Sequence, residues 1–264
     1  MEILGYLASI FIGVTLGLIG GGGSILTVPV LVYLFAVDAV AATAYSLFIV
    51  GLTSAVGSIQ YFKNGLVNHK TALVFGIPSI IAVFLTRAYI VPAIPKEVFT
   101  IGNFVVTKSI LLMLLFAILM IAASYSMIKK TKKNSNDDAP QKFNYPVILI
   151  EGAVVGVLTG LVGAGGGFLI IPALVILSKL PMKEAVGTSL VIIAAKSLIG
   201  FFGEGDETII DWVLLSKVSA FAIVGIFIGT YLSKNIDGAK LKPAFGWFVL
   251  VMGIYIILKE TVFK

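Results

Sequence analysis

The segment Gly13-Val14-Thr15-Leu16-Gly17-Leu18-Ile19-Gly20-Gly21-Gly22-Gly23-Ser24-Ile25-Leu26-Thr27-Val28-Pro29-Val30-Leu31 occurs twice in this chain. Its second copy is Gly156-Val157-Leu158-Thr159-Gly160-Leu161-Val162-Gly163-Ala164-Gly165-Gly166-Gly167-Phe168-Leu169-Ile170-Ile171-Pro172-Ala173-Leu174. A constant offset of 143 pairs Gly13 with Gly156, Gly17 with Gly160, Gly20 with Gly163, Gly22 with Gly165, Gly23 with Gly166, Pro29 with Pro172 and Leu31 with Leu174. Without a gap, the same offset still pairs Ala42 with Ala185, Ser46 with Ser189, Leu47 with Leu190, Ser54 with Ser197 and Gly57 with Gly200. A glycine run between apolar stretches is a helix broken inside an apolar phase. Two such breaks at matching positions of two halves point to a binding site of the kind secondary transporters use.

Composition sets the solvent. Hydrophobic residues make up 59% of the chain and charged residues 12%, and mean hydropathy is +1.09. These are values for a bilayer rather than for water. Apolar stretches recur at residues 3–35, 39–61, 71–91, 104–128, 147–177, 185–202, 212–232 and 244–258. Most approach the ~20 residues that cross a hydrocarbon core about 30 Å thick. The first reads as a membrane segment and not a cleavable signal peptide, since it is too long and ends without a small-residue cleavage site. The formal charge is +6, but the lysines sit in loops. That is a topology signal, and no nucleic-acid partner is expected. With no cysteine, disulfides, thiolate metal sites and a cysteine nucleophile are excluded. The single histidine, His69, argues against a histidine-built zinc site.

Residues 3–35 are too many for one crossing. As one helix they would extend about 50 Å at ~1.5 Å per residue, against a core of about 30 Å. The glycine run divides them into 3–19 and 25–35, and 147–177 divides likewise into 147–162 and 168–177. Each broken stretch either crosses once or turns back to the side it entered. Single crossings leave lysine and arginine balanced between the faces. Hairpins gather Lys63, Lys70, Lys129, Lys130, Lys132, Lys133, Lys142, Lys179, Lys183, Lys234, Lys240 and Lys242 on one face. They leave Arg87, Lys96, Lys108, Lys259 and Lys264 on the other. That asymmetry is what the positive-inside rule expects, so hairpins are the predicted form.

Each half then has an odd number of full crossings, and the halves are inverted about an axis in the membrane plane. The predicted fold is an all-α polytopic membrane protein of two inverted repeats, each a glycine-broken re-entrant hairpin plus three transmembrane helices. Residues 1–128 form the N-terminal repeat, 129–145 a cytoplasmic linker and 146–264 the C-terminal repeat, with both termini outside.

Backbone groups freed at a break must be buried in protein or line a watery cavity. A half-helix that restarts near Ser24 or Gly167 offers free N–H groups and a positive dipole end to an anion. The predicted substrate-binding set is therefore Gly20, Gly21, Gly22, Gly23 and Ser24 from the first break, with Gly163, Gly165, Gly166 and Gly167 from the second. Ser46, Thr188 and Ser189 add hydroxyls. Two plainer readings stay open: the glycines as packing surfaces, and Ser46 and Ser189 bonding their own helix carbonyls. Gly13 with Gly17, Gly152 with Gly156 and Gly160, and Gly225 with Gly229 have small-xxx-small spacing and are read as helix-packing surfaces. Neither glycine run fits a dinucleotide fingerprint, whose last glycine would fall at Ile25 or Phe168.

Among the remaining polar residues, Lys196 lies deep in the stretch 185–202. A lysine at that depth costs about 2.5–3.5 kcal/mol on insertion scales and so faces a cavity or a partner. It joins the predicted site; pairing with Glu151 or with freed carbonyls is the competing reading. Its counterpart at the 143 offset is Thr53. Arg87, Lys108 and Lys217 are read as snorkelling near helix ends. His69 is read as a solvated interface residue, and Tyr61, Tyr89, Trp212 and Trp247 as interfacial belts.

The duplicated Gly-x-x-x-Gly-x-x-Gly-x-Gly-Gly-x5-Pro-x-Leu pattern, followed by Gly187-Thr188-Ser189-Leu190, resembles the TauE/SafE sulfite exporter family of membrane permeases. The resemblance spans nearly the whole chain. The first copy departs from it in having Ala44-Tyr45-Ser46-Leu47 at the matching place. The resemblance implies transport of sulfite or a sulfonate, often outward. The expected function is thus secondary transport of a small sulfur oxyanion across a plasma membrane, with proton coupling or simple facilitated flow in place of ATP use. Its expected partners are the anionic substrate and the lipid bilayer; no cofactor and no metal are implied. An anion channel is the nearer alternative. An intramembrane enzyme is the remoter one, since no metal-ligand cluster or nucleophile–histidine pair is legible.

Overall fold

The computed structural model of the chain describes residues 2–21, 23–101, 104–128, 145–163, 165–176, 180–203, 210–233 and 238–261. Gly22, Ala164 and the predicted linker lie outside these, apart from Tyr145 at the linker's end. In chain order the elements are α1 (Glu2–Ile19), α2 (Gly23–Tyr33), α3 (Ala39–Lys63) and α4 (His69–Leu85). A π-helical turn (Thr86–Ile90) leads into the short α5 (Val91–Ala93), β1 (Glu97–Ile101) and β2 (Phe104–Thr107). There follow α6 (Lys108–Ile128), α7 (Tyr145–Val162), α8 (Gly167–Ile176), α9 (Met182–Phe202), α10 (Trp212–Ser233) and α11 (Gly238–Thr261).

Local chemistry sets several of these boundaries. Asp38 caps α3 by accepting from Val40 N at 2.8 Å, and Asn68 caps α4 by accepting from Thr71 N at 3.0 Å. Gly65, with φ +68°, takes the left-handed step that lets the chain leave α3. One departure from the predicted all-α architecture is the antiparallel β1–β2 pair, with Phe99 opposite Val106 and Ile101 opposite Phe104. Its strands are β-branched and aromatic, and the sequence between them is Gly102-Asn103, a hairpin dipeptide. The stretch 104–128 is accordingly helical only from Lys108.

Among the described residues, five helical segments are long and apolar enough to cross a membrane: Ala39–Lys63, His69–Ala93, Lys108–Tyr125, Met182–Phe202 and Trp212–Ser233. Ile3–Ile19, Gly23–Tyr33 and Pro146–Val162 are shorter apolar helices. Large side chains such as Ile3, Leu7, Ile81, Val213 and Val251 are exposed. That is an unfavourable surface in water and a suitable one in lipid.

The helices pair across the sequence. α1 packs on α10 and α7 on α4, while α3 packs on α9 and α6 on α11. Small residues make the first two contacts close. Gly13 and Gly17 face Ala222, Ile226, Gly229 and Thr230, and Gly225 and Gly229 face Ile10 and Val14 in return. On the other pair, Gly152, Gly156 and Gly160 lie against Phe75, Ser79, Ala82, Val83 and Thr86. The glycines read as packing surfaces are packing surfaces. α2 doubles back along α1: Gly23 sits by Ile12 and Leu16, and the Phe35 ring lies against Gly5 and 5.4 Å from the Tyr6 ring.

These contacts predict an ordered mutational response. A Cβ on Gly156 would fall 2.6 Å from Ser79 O, whereas one on Gly76 meets only Ile192 Cγ1 at 3.7 Å. Gly156→Leu should therefore destabilise the detergent-purified protein by roughly 1–3 kcal/mol or more. Gly76→Ala should leave the thermal midpoint nearly unchanged. Equal midpoints for the two variants in a thermal unfolding assay would contradict the α4–α7 packing described above.

Candidate functional site

Each glycine run ends one helix and starts another through backbone angles that side chains resist. Gly20 has φ +77°, with its N–H donating to Leu16 O at 2.7 Å. Gly163, Gly165 and Gly166 have φ +69°, +63° and +68°. In the left-handed region a Cβ crowds the following carbonyl, so glycine is required there. α2 then starts at Gly23 and α8 at Gly167.

The two restarts meet. Gly21 lies against the main chain of Gly167, and a Cβ on either would intrude on the other. The first-turn N–H groups of a helix have no intrahelical acceptor. Two N-terminal ends are thus brought together in the interior, where Ser24, Ser46, Ser189 and Lys196 are all fully buried.

Around the first break, Gly20 packs on Val186 and Ser189. The Ser189 hydroxyl has Val186 O at 2.8 Å and Gly20 O at 3.2 Å as acceptors, so it bonds its own helix and the break together. Ser24 donates to Gly21 O at 2.7 Å, closing the turn from within. Gly23 faces Ile12 and Leu16 of α1.

The second break is lined differently. A Cβ on Gly166 would lie 2.7 Å from Lys196 Nζ and also meet Thr159. The Lys196 ammonium donates to Thr159 Oγ1 at 3.0 Å, while Glu151 keeps a buried carboxylate oxygen with no hydrogen-bond partner. Lys196 thus sits at the break itself and does not reach Glu151. Gly165 faces Val50 and Ser197, whose buried hydroxyl makes no hydrogen bond. Gly163 faces Thr43 and the Arg87 guanidinium, and Arg87 Nη1 donates to Thr43 Oγ1 at 3.0 Å.

Arg87 corrects the sequence reading. It does not snorkel: it is 1% exposed, and it lies in the π-helical turn after α4. A π turn carries an extra residue and re-aims its side chains, and such turns are frequent at functional sites. Here Thr86 and Arg87 go inward, while Tyr89 is 68% exposed. The signal was available, because Ala88-Tyr89-Ile90-Val91 continue the apolar stretch beyond Arg87. Thr43, Thr159 and Ser197 were missed as well; each faces a glycine of the second break.

Other residues have surroundings of their own. Thr188 of α9 is buried against the start of α4, where its Oγ1 accepts from Asn68 N at 2.9 Å. Ser46 is buried without a hydrogen-bond partner, one turn along α3 from Thr43. Tyr61 is not a belt residue: it is buried, and its hydroxyl donates to Gly17 O at 3.1 Å. Tyr89, Trp212 and Trp247 are exposed as expected. His69 is exposed, with its ring 5.1 Å from that of Phe62.

Broken helices meeting within a bundle of membrane-length helices define a multi-pass membrane protein. The family model for "Sulfite exporter TauE/SafE" matches residues 5–256. The chain belongs to this family, and so stands among membrane transporter proteins. It is 28% identical to a "Probable membrane transporter protein" of Xylella fastidiosa over 94% of this chain and 92% of that protein. It is 28% identical to the "Probable membrane transporter protein YunE" of Bacillus subtilis, over 98% and 94%. With "Probable membrane transporter protein MJ0441" of Methanocaldococcus jannaschii, identity is 35% over 45% of this chain and 47% of that protein. No solved structure matches the chain.

The left-handed turns carry a stability prediction. Gly166→Ala introduces a side chain at φ +68° against Thr159. Strain of this kind costs of order 1–3 kcal/mol. The variant should melt clearly below the wild type in the same detergent; an unshifted midpoint would deny the left-handed conformation.

Proposed function

We propose that this chain is a secondary transporter, working as an exporter in the plasma membrane, that moves a small sulfur oxyanion such as sulfite or a sulfonate. The observation that carries this reading is the contact of Gly21 with Gly167, which sets two helix N-termini together in a buried interior. Aligned N–H groups and positive dipole ends favour an anion. Lys196 adds the positive charge that dipoles lack, and Ser189 and Ser24 order the turns beside it. The family is named for sulfite export, and sulfite has the size and charge that such a site suits. Gly20, Gly21, Gly163, Gly165, Gly166, Gly167, Ser189 and Lys196 are the residues we assign to it.

The architecture we propose around the site is two inverted halves, residues 1–128 and 146–264, joined by a cytoplasmic linker, with both termini outside. Its support is an exchange of partners at the 143 offset. The α1–α10 pair has its counterpart in α7–α4, and Gly20 on Val186 has its counterpart in Gly163 on Thr43. The return of α2 along α1 supports the hairpin form. Reporter fusions at the N-terminus and at Lys133 should report opposite faces of the membrane; the same face for both would end the hairpin topology.

Function is tested in proteoliposomes loaded with sulfite. Saturable, gradient-dependent efflux is expected; non-saturating conductance would mean a channel, and chemical conversion an enzyme. Lys196→Met should insert and fold yet lose most of the flux, and Lys196→Arg should keep part of it. Undiminished flux in Lys196→Met would remove this lysine from the site.

A further inference from the structure

Away from the glycine turns, a cavity of about 390 Å³ lies between the last turns of α3 and the later half of α10. The buried Gly57, Ile226 and Thr230 form its floor. Gly57 gives it depth, because a Cβ there would run into the Ile226 side chain. The rim is open: Ile59 is 54% exposed and Phe227 59%. Phe62 and Tyr231 beside it are exposed too. In a membrane protein such an apolar rim faces lipid, not the interior of the bundle.

The cavity is polar at one end only. Gly57 lies against Ile226, and the Tyr61 hydroxyl is 3.3 Å from Ser233 Oγ, so α3 and α10 run in the same direction along it. Val56, Ile59, Ile226 and Phe227 therefore share the end deeper in the span, and Gln60, Lys63 and Asn64 the end where α3 stops. Val56 and Lys63 are about 10 Å apart along the helix at ~1.5 Å per residue. Among the described residues, the side chains of Gln60, Lys63 and Asn64 have no hydrogen-bond or ion-pair partner. No carboxylate lines the cavity.

We propose that this cavity holds one anionic phospholipid, its phosphate at Lys63 and an acyl chain laid along Val56, Ile59 and Phe227. The assignment is independent of which solute the protein carries. A lysine is a good point charge for a phosphate, and the amides of Gln60 and Asn64 can donate to the remaining oxygens. Basic pockets between transmembrane helices recognise anionic headgroups in this way. A small soluble anion would leave the apolar end unfilled, whereas a phospholipid matches both ends. The bound lipid would bridge two helices far apart in the chain. It would also bear on the α1 contact, since Ile226 and Thr230 of the floor lie against Gly17 on their other side.

The test is native mass spectrometry of the purified full-length protein with phosphatidylglycerol and phosphatidylcholine of identical acyl chains, alongside thermal midpoints. The wild type should retain one phosphatidylglycerol with at least fivefold preference, and its midpoint should rise with that lipid only. Lys63→Glu should bring the preference within about twofold while phosphatidylcholine binding stays unchanged. Lys217→Glu, at an exposed position near the other end of α10, should keep the preference. Val56→Trp, which fills the apolar end, should weaken both lipids severalfold; if it does not fold, Lys63→Glu decides. An indiscriminate wild type or an indifferent Lys63→Glu would overturn the site. Equal losses in Lys63→Glu and Lys217→Glu would mean diffuse surface attraction and overturn it as well. Displacement of the lipid by an excess of glycerol phosphate would show a site for a free anion, and the lipid assignment would fall.

Discussion

Hydrocarbon offers no hydrogen bonds, and that constraint governs everything else in this molecule. A helix interrupted at membrane depth exposes main-chain N–H and C=O groups, each costing several kcal/mol if left bare. Two interruptions in one chain are tolerable only when protein surrounds both. The fold meets this by driving the breaks into each other, with Gly21 against Gly167, and by turning nearby hydroxyls onto freed carbonyls, as Ser24 does on Gly21 and Ser189 on Gly20. The glycines are needed twice over: for φ near +70° at Gly20, Gly163 and Gly166, and for the missing Cβ at Gly21 and Gly167.

Bringing the breaks together depends on how the longer helices pack. In lipid no hydrophobic force drives apolar helices together, so close backbone approach must do it through dispersion. The Gly13–Gly17 face of α1 reaches α10, and the Gly152–Gly160 face of α7 reaches α4. The helix that leads into each break is therefore anchored by a helix distant in sequence. The duplicated segment and the small-residue faces are in this sense one device: the faces aim the breaks.

Much of this was legible from residue order, because it is backbone chemistry. Gly20 to Gly23 and Gly163 to Gly167 announce breaks whatever surrounds them, and the observed restarts at Gly23 and Gly167 fall where the run predicts. Side-chain direction was harder to read. Arg87 has a neighbour pattern that suits a helix end, and only the π turn sends it inward. Thr188 belongs to the same Gly-Thr-Ser-Leu motif as Ser189, yet one residue of helical rotation, about 100°, takes it to Asn68 and not to the break. Tyr61 ends an apolar stretch like a belt residue, but the Gly17 carbonyl draws its hydroxyl inside. Of the β1–β2 pair, β2 lies inside the run 104–128 that reads as membrane helix, and β1 in the gap before it.

A duplicated scaffold permits its two copies to differ in chemistry while they stay alike in shape. The backbone turns are held in place by glycine, so selection on lining residues is free of the constraint that fixes the fold. Leu16 against Thr159 and Val186 against Thr43 show the outcome: at these matching places the first turn is packed with carbon and the second with hydroxyls, and two cations adjoin the second. A cationic side chain buried among apolar helices is costly, and each of these has a hydroxyl beside it: Lys196 donates to Thr159 and Arg87 to Thr43. The hydroxyls of the second turn and the cations next to it are thus one arrangement. At the matching places of the first turn Leu16 and Val186 suffice, because the offset partners of the two cations are the uncharged Thr53 and Thr230.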